Sequence, residues 1–140
     1  MSSVHKVLNG GQPSPLDLSD FSSQGVKTVI NLRAPTEDLG FDERALCEQL
    51  KLDYRVLPIA GPEDLTRDHV KAFDSELTDA LSKGDVLVHC GTSNRVGALM
   101  ALREVWLRGT PQEPALEIGR QFGLTVMEDA VRNSLGRDTL

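Results

Sequence analysis

Aromatic side chains are scarce in this chain, with one Trp, one Tyr and four Phe making 4% of the sequence. No obvious platform for stacking a flat ring follows from them, and Phe41 and Tyr54 are the nearest guesses. Cysteine is scarcer still. Cys47 and Cys90 stand far apart with no C-x-x-C spacing, and His5, His69 and His89 form no cluster, which excludes a structural zinc site and leaves no metal or organic cofactor implied. Basic residues are outnumbered, 15 Lys and Arg against 21 Asp and Glu for a net charge of −6, and no basic stripe exists. A nucleic-acid partner is thereby excluded. No apolar run reaches the length of a membrane span, and the opening MSSVHKVLNGG lacks the apolar core of a signal peptide. The expectation is a cytoplasmic protein with reduced thiols and no membrane partner.

What is present is ordinary globular composition, 39% hydrophobic and 26% charged over 140 residues. That length suits one domain, residues 1–140, with a core of two or three layers. No internal repeat, linker or low-complexity segment interrupts it. Apolar strands alternate with amphipathic helices. A short helix around Leu16–Ser23 precedes a β-branched strand, Val26–Leu32, and a loop with Pro35 follows. A helix over about 42–51 carries Leu46, Cys47 and Leu50 on its apolar face. Tyr54–Ile59 reads as a strand closed by Gly61-Pro62, and Thr66 caps a helix to about Ser82. The third apolar strand, Val86–Val88, runs into His89-Cys90. The helix after it, Val96–Leu107, is apolar around most of its circumference and is expected to be buried. Two more helices are expected, Glu113–Phe122 and Val126–Leu135. Strands and helices in alternation imply an α/β fold, a mostly parallel central sheet flanked by helices. Ligands of such sheets sit at the carboxyl ends of the strands, where Cys90 stands.

The stretch Val86–Gly97, VLVHCGTSNRVG, concentrates the chemistry. A cysteine at a strand-to-helix junction meets the positive end of the helix dipole and a set of backbone N–H groups without intrahelical partners. That field favours thiolate over thiol and makes the sulfur a nucleophile. The loop Gly91, Thr92, Ser93, Asn94 can cradle an anion, and Arg95 can bind an oxyanion through two parallel hydrogen bonds. Taken singly, Cys90 and Arg95 would read as a buried strand residue and a surface charge; their joint spacing carries the anion-binding reading.

HCGTSNRVGALMAL resembles the signature loop of the cysteine-based phosphatase superfamily, the tyrosine and dual-specificity phosphatases, in which His-Cys is followed by an arginine. The four residues between Cys90 and Arg95, one fewer than usual, are similar to a bacterial subgroup that includes the phosphatase-like domain of β-lactamase hydrolase-like proteins. Gly11-Gln12-Pro13, Thr28–Arg33 and Pro58–Thr66 fit the same subgroup, and the resemblance covers roughly residues 8–124. It implies a protein-tyrosine-phosphatase-like fold and hydrolysis of a phosphomonoester, on a small molecule or a phosphoprotein. Cys90 would form a phosphocysteine, while Arg95 and the N–H groups of Gly91 to Arg95 would hold the phosphoryl oxygens. His89 would support the cysteine from behind or be a buried structural residue. Asn94 would shape the loop or donate to substrate. A phosphatase also needs an acid for the leaving oxygen. Asp64 and Glu63, after the Tyr54 strand, are the candidates, although Asp64 could instead favour the helix start beside it. Arg33, at the end of another strand, could reach the anion or pair on the surface.

Three departures mark this chain. Ser93 stands where the subgroup has glycine, Val96 stands where larger phosphatases carry a hydroxyl that helps the thiolate leave, and the short loop is also that of many rhodaneses. Two alternatives follow: a rhodanese-like sulfurtransferase carrying a persulfide on Cys90, and a domain that binds phospho-ligands without turnover. Cys47 could in principle protect Cys90 as a disulfide, or be a plain core residue.

Overall fold

Strand β1 (Val7–Gly10) opens the chain of a computed structural model that describes residues 5–34 and 40–138. After it come α1 (Pro15–Ser23), β2 (Val26–Asn31), α2 (Glu43–Gln49) and β3 (Asp53–Val56). A single 3₁₀ turn, Pro62–Asp64, leads to α3 (Arg67–Leu81), β4 (Asp85–His89), α4 (Asn94–Arg108), α5 (Gln112–Gln121) and α6 (Glu128–Asp138). The loop expected around Pro35 lies outside the described residues.

The strands form one parallel sheet in the order β1-β4-β2-β3. β2 and β4 lie in its middle, and both are buried on both faces because alternate residues point to opposite sides. Val86 and Val88 join Ile30, Phe73, Leu77 and Leu99 on the face covered by α3 to α6. Leu87 joins Leu18, Val29 and Cys47 on the face covered by α1 and α2. The expected α/β sheet with helices on both faces is therefore the observed one.

Local chemistry sets the element ends. Ser14 and Asp17 form a reciprocal capping box at α1, and Asp42 and Thr66 cap α2 and α3 by accepting from Ala45 N–H and His69 N–H. Gly109, at φ 72°, closes α4 in the left-handed conformation that glycine adopts without steric cost. Strand β1 was not legible in advance. VLNG is short and polar at its end, and it becomes a strand only by pairing with β4, Val7 against Val86 through Gly10 against His89. The Tyr54 strand is shorter than expected, ending at Val56; Leu57 and Ile59 still bond to Asn31 and Leu32 carbonyls at 2.9 Å, but Pro58 between them has no N–H to continue a ladder. The last helix begins at Glu128, two residues after Val126, because the Asn94 side chain at the start of α4 takes the N–H groups of Thr125 and Met127.

α4 passes through the centre of its layer, with Val96, Gly97, Ala98, Leu99, Ala101 and Leu102 all buried. Its contact with α5 runs backbone to backbone. A β-carbon on Gly97 would lie 2.6 Å from the Gly119 carbonyl oxygen, and one on Gly119 would lie 2.8 Å from the Gly97 carbonyl oxygen. Gly97→Ala is therefore expected to destabilise the fold by about 3 kcal/mol, the upper end for overpacking, since backbone cannot move aside as a side chain does. Urea unfolding checks it, and a loss below about 0.5 kcal/mol would show that α5 repositions freely. Among the described residues no helix is long and apolar enough to cross a membrane.

Candidate active site

The carboxyl ends of all four strands meet in one region. β4 ends at His89, and Cys90 follows, wholly buried, its N–H donating to the Gly10 carbonyl at 3.3 Å. The chain then crosses the end of β1, where Gly11 and Thr92 form an antiparallel bridge. Only glycine fits there, since a β-carbon at Gly11 would lie 2.7 Å from the Gly91 carbonyl oxygen.

Ser93 stands at φ 73° in the left-handed region, which the subgroup's glycine at this position would adopt without steric cost. Such backbone costs a non-glycine residue roughly 1 kcal/mol. Here two hydrogen bonds offset it: Ser93 Oγ donates to the Phe122 carbonyl at 2.9 Å and accepts from Asn9 Nδ2 at 2.8 Å. Gly123 packs so tightly that a β-carbon on it would lie 2.6 Å from Ser93 Oγ. The serine thus changes the loop's support, clamping it to the α5–α6 connection.

Asn94 begins α4 and looks the same way. Its Oδ1 accepts from Thr125 N–H at 2.8 Å and Met127 N–H at 3.2 Å, while Nδ2 donates to Thr125 Oγ1 at 2.7 Å. Its side chain is committed to the α5–α6 connection. Arg95 folds back across the loop. Its Nη2 lies 3.3 Å from where a β-carbon of Gly91 would sit, and its Nη1 donates to the Ile59 carbonyl at 2.8 Å. The guanidinium therefore bridges the cysteine loop and the chain leaving β3.

That chain carries both acid candidates. Asp64 Oδ2 accepts from Ala60 N–H at 2.8 Å, closing the turn one residue after Ile59, and its Oδ1 stands 3.9 Å from His69 Nε2. Glu63 turns elsewhere. Its carboxylate folds over Gly61, and it lines a cleft with Pro62, Leu65, Thr66, Arg67 and Trp106. Arg33 leaves β2, and its Nη1 donates to Gln12 Oε1 at 3.1 Å.

His89 is wholly buried, and its Nε2 lies 2.7 Å from Oε2 of an equally buried Glu43. Burial pushes the Glu43 carboxyl up, but hydrogen bonds from His89, Gln12 and Tyr54, with the charge of His89, hold it below the usual carboxylate range. Sequence reasoning missed Glu43. The signal was present, since Glu43 precedes Leu46, Cys47 and Leu50 by three, four and seven residues and so shares their apolar face. An acid on such a stripe is out of place unless it has a buried partner. Tyr54 is no stacking platform: Asn31 Nδ2 donates to its hydroxyl at 2.9 Å, and Arg44 lies 5.1 Å over its ring.

Both cysteines are free, and Cys47 packs on the opposite face of the sheet from Cys90, so the disulfide reading fails. Burial pushes the Cys47 thiol up to about 12, which keeps it inert. Among the described residues no group of three or more His, Cys, Asp or Glu could hold a metal ion.

No protein-family model matches the chain. It is 32% identical over 124 residues to a β-lactamase hydrolase-like protein of Agrobacterium fabrum, covering 86% of this chain and 27% of that protein. It thus spans about a quarter of the length of that curated relative. Among solved structures it is similar to a "Putative phosphatase (DUF442)" of Shewanella putrefaciens, at a TM-score of 0.71 and 22% identity over 98% of this chain and 86% of that one. A cysteine-to-serine form of TpbA from P. aeruginosa in complex with pTyr superposes at a TM-score of 0.66 and 24% identity, over 90% of this chain and 74% of that one. The fold is that of the protein-tyrosine-phosphatase-like phosphatases.

Proposed function

We propose that this chain is a cysteine-dependent phosphatase acting on phosphomonoesters through a phosphocysteine on Cys90. The observation that carries the reading is Arg95 lying across the loop that starts at Cys90, with the first turn of α4 directly behind it. An anion in that loop meets a guanidinium and backbone N–H donors together. In the first step the Cys90 thiolate attacks phosphorus, the P–S bond forms, and the P–O bond to the leaving group breaks. The oxygens between gain charge in the transition state, where fixed dipoles aimed at them are most effective. Water then attacks the phosphocysteine, releasing inorganic phosphate and the thiolate. Thiolate and dipoles supply this chemistry without a cofactor. A phosphorylated small molecule or a phosphoprotein is the substrate class, and the pTyr bound to TpbA is of that class.

Hydrolysis of p-nitrophenyl phosphate across pH 5 to 8, inhibited by vanadate, tests the proposal. Absence of turnover above a Cys90→Ser background would reject it. Sulfur transfer from thiosulfate to cyanide would then mark a persulfide carrier, and vanadate binding without either activity a binding domain.

Asp64 is proposed as the acid for the leaving oxygen, because it belongs to the turn that Arg95 reaches through Ile59. Asp64→Asn keeps an oxygen for Ala60 N–H but loses the transferable proton. It is expected to lower kcat about a hundredfold with phenyl phosphate and far less with p-nitrophenyl phosphate, whose leaving group departs without protonation. Equal losses with both esters would mark a structural role, and a loss confined to Glu63→Gln would transfer the role to Glu63.

A further inference from the structure

The chain of hydrogen bonds behind Cys90 is longer than the reaction above requires. Glu43 Oε2 meets His89 Nε2 at 2.7 Å, and its Oε1 accepts from Gln12 Nε2 at 2.6 Å. Gln12 Oε1 in turn accepts from Arg33 Nη1 at 3.1 Å. Four segments that are remote in sequence are thus strung together: the end of β2, the β1–α1 loop, the start of α2 and the end of β4. Taking a carboxylate and an imidazole wholly out of water is expensive, and an apolar pair would fill the same space at no such cost. His89 Nδ1 is also buried with no partner among the described residues. A pair that served packing alone would not leave a ring nitrogen orphaned on the residue that precedes the nucleophile in the chain.

We propose that Glu43 is a positioning residue for the phosphatase reaction, acting on Cys90 through His89. The proposal rests on the phosphatase reading of this site. Because a carboxylate only accepts, Glu43 requires a proton on His89 Nε2 and fixes the plane of the ring. The imidazole belongs to the residue immediately before Cys90, so fixing its ring fixes the backbone from which the thiol projects toward the N–H groups at the head of α4 that favour the thiolate. Gln12 holds the other carboxylate oxygen, so the pair is registered to the loop that also holds Arg33. Among the described residues, the other titratable or charged groups around the pair are Tyr54 on β3 and Arg44 and Cys47 on α2; burial holds both Tyr54 and Cys47 above their ordinary ranges, and neither titrates near neutrality.

Glu43→Gln keeps the shape and an acceptor for His89 but removes the charge. The test is the rate of carboxymethylation by iodoacetate between pH 5 and 9, with Cys90→Ser as background. Glu43→Gln is expected to raise the pH midpoint by about one unit, slowing Cys90 alkylation about tenfold at pH 6. The kcat for p-nitrophenyl phosphate falls by a similar factor while KM stays within about threefold. If Glu43→Gln does not fold, as judged by circular dichroism, Gln12→Ala serves instead, with a smaller shift in the same direction. An unchanged midpoint in whichever variant folds would overturn the proposal. Failure of the phosphatase reading looks different: the wild-type protein would show no turnover, while the alkylation midpoint would still report what Glu43 does to Cys90.

Discussion

Replacing Cys90 by serine is expected to lower kcat for an aryl phosphate by at least about a thousandfold, to the background rate, with the fold retained. The loss is large because a serine hydroxyl stays protonated at neutral pH and the loop offers no base to activate it. A side chain that differs by one atom keeps the volume of this wholly buried site, so melting temperature should move by only a few degrees. Vanadate should still bind, since the proposed cradle consists of backbone and Arg95 rather than sulfur. Cys47→Ser is the comparison. That thiol faces the other side of the sheet, and its substitution should leave turnover unchanged. Turnover surviving in Cys90→Ser, or vanishing in Cys47→Ser, would remove Cys90 from the mechanism.

The second large effect concerns Arg95. Arg95→Lys is expected to lower kcat/KM roughly 100- to 1,000-fold, although charge is conserved. Lysine offers a point charge where guanidinium offers two parallel donors, and it cannot at once hold an oxyanion and the Ile59 carbonyl that Arg95 Nη1 reaches at 2.8 Å. The turn closed by Asp64 and Ala60 would lose that tether, so part of the loss should appear as a steeper dependence on the leaving group, greater with phenyl phosphate than with p-nitrophenyl phosphate. Vanadate affinity, measured by competition, should fall in parallel. A variant within about threefold of wild type would show that the backbone of the loop alone holds the anion.

Glu43 and Ser93 mark where the sequence and the folded protein part company. The sheet order could not be read from local pattern, because β1 has too few apolar residues to announce itself and gains its identity from β4. Ser93 was legible as a departure but not in its consequence. Its left-handed backbone could have been a strained defect, and it is instead clamped by Asn9 and Phe122, which stand far away in the chain. Asn94, open between two roles on sequence, spends its side chain on Thr125 and Met127.

Legible from the amino acids alone is whatever lies within one contiguous stretch: the apolar strand Val86–Val88, the junction at His89-Cys90, and the short run to Arg95 at the head of a buried helix. Periodicity and spacing act over a few residues, so a candidate nucleophile and the loop proposed to hold its anion, encoded in one segment, are visible there. What surrounds them is set by packing between distant parts of the chain. Gln12, Arg33, Glu43 and His89 are strung together because three strand-to-helix connections, β1–α1, β2–α2 and β4–α4, leave the same end of a parallel sheet. The hydrogen bonds that join them depend on distances of about 3 Å that no local pattern encodes.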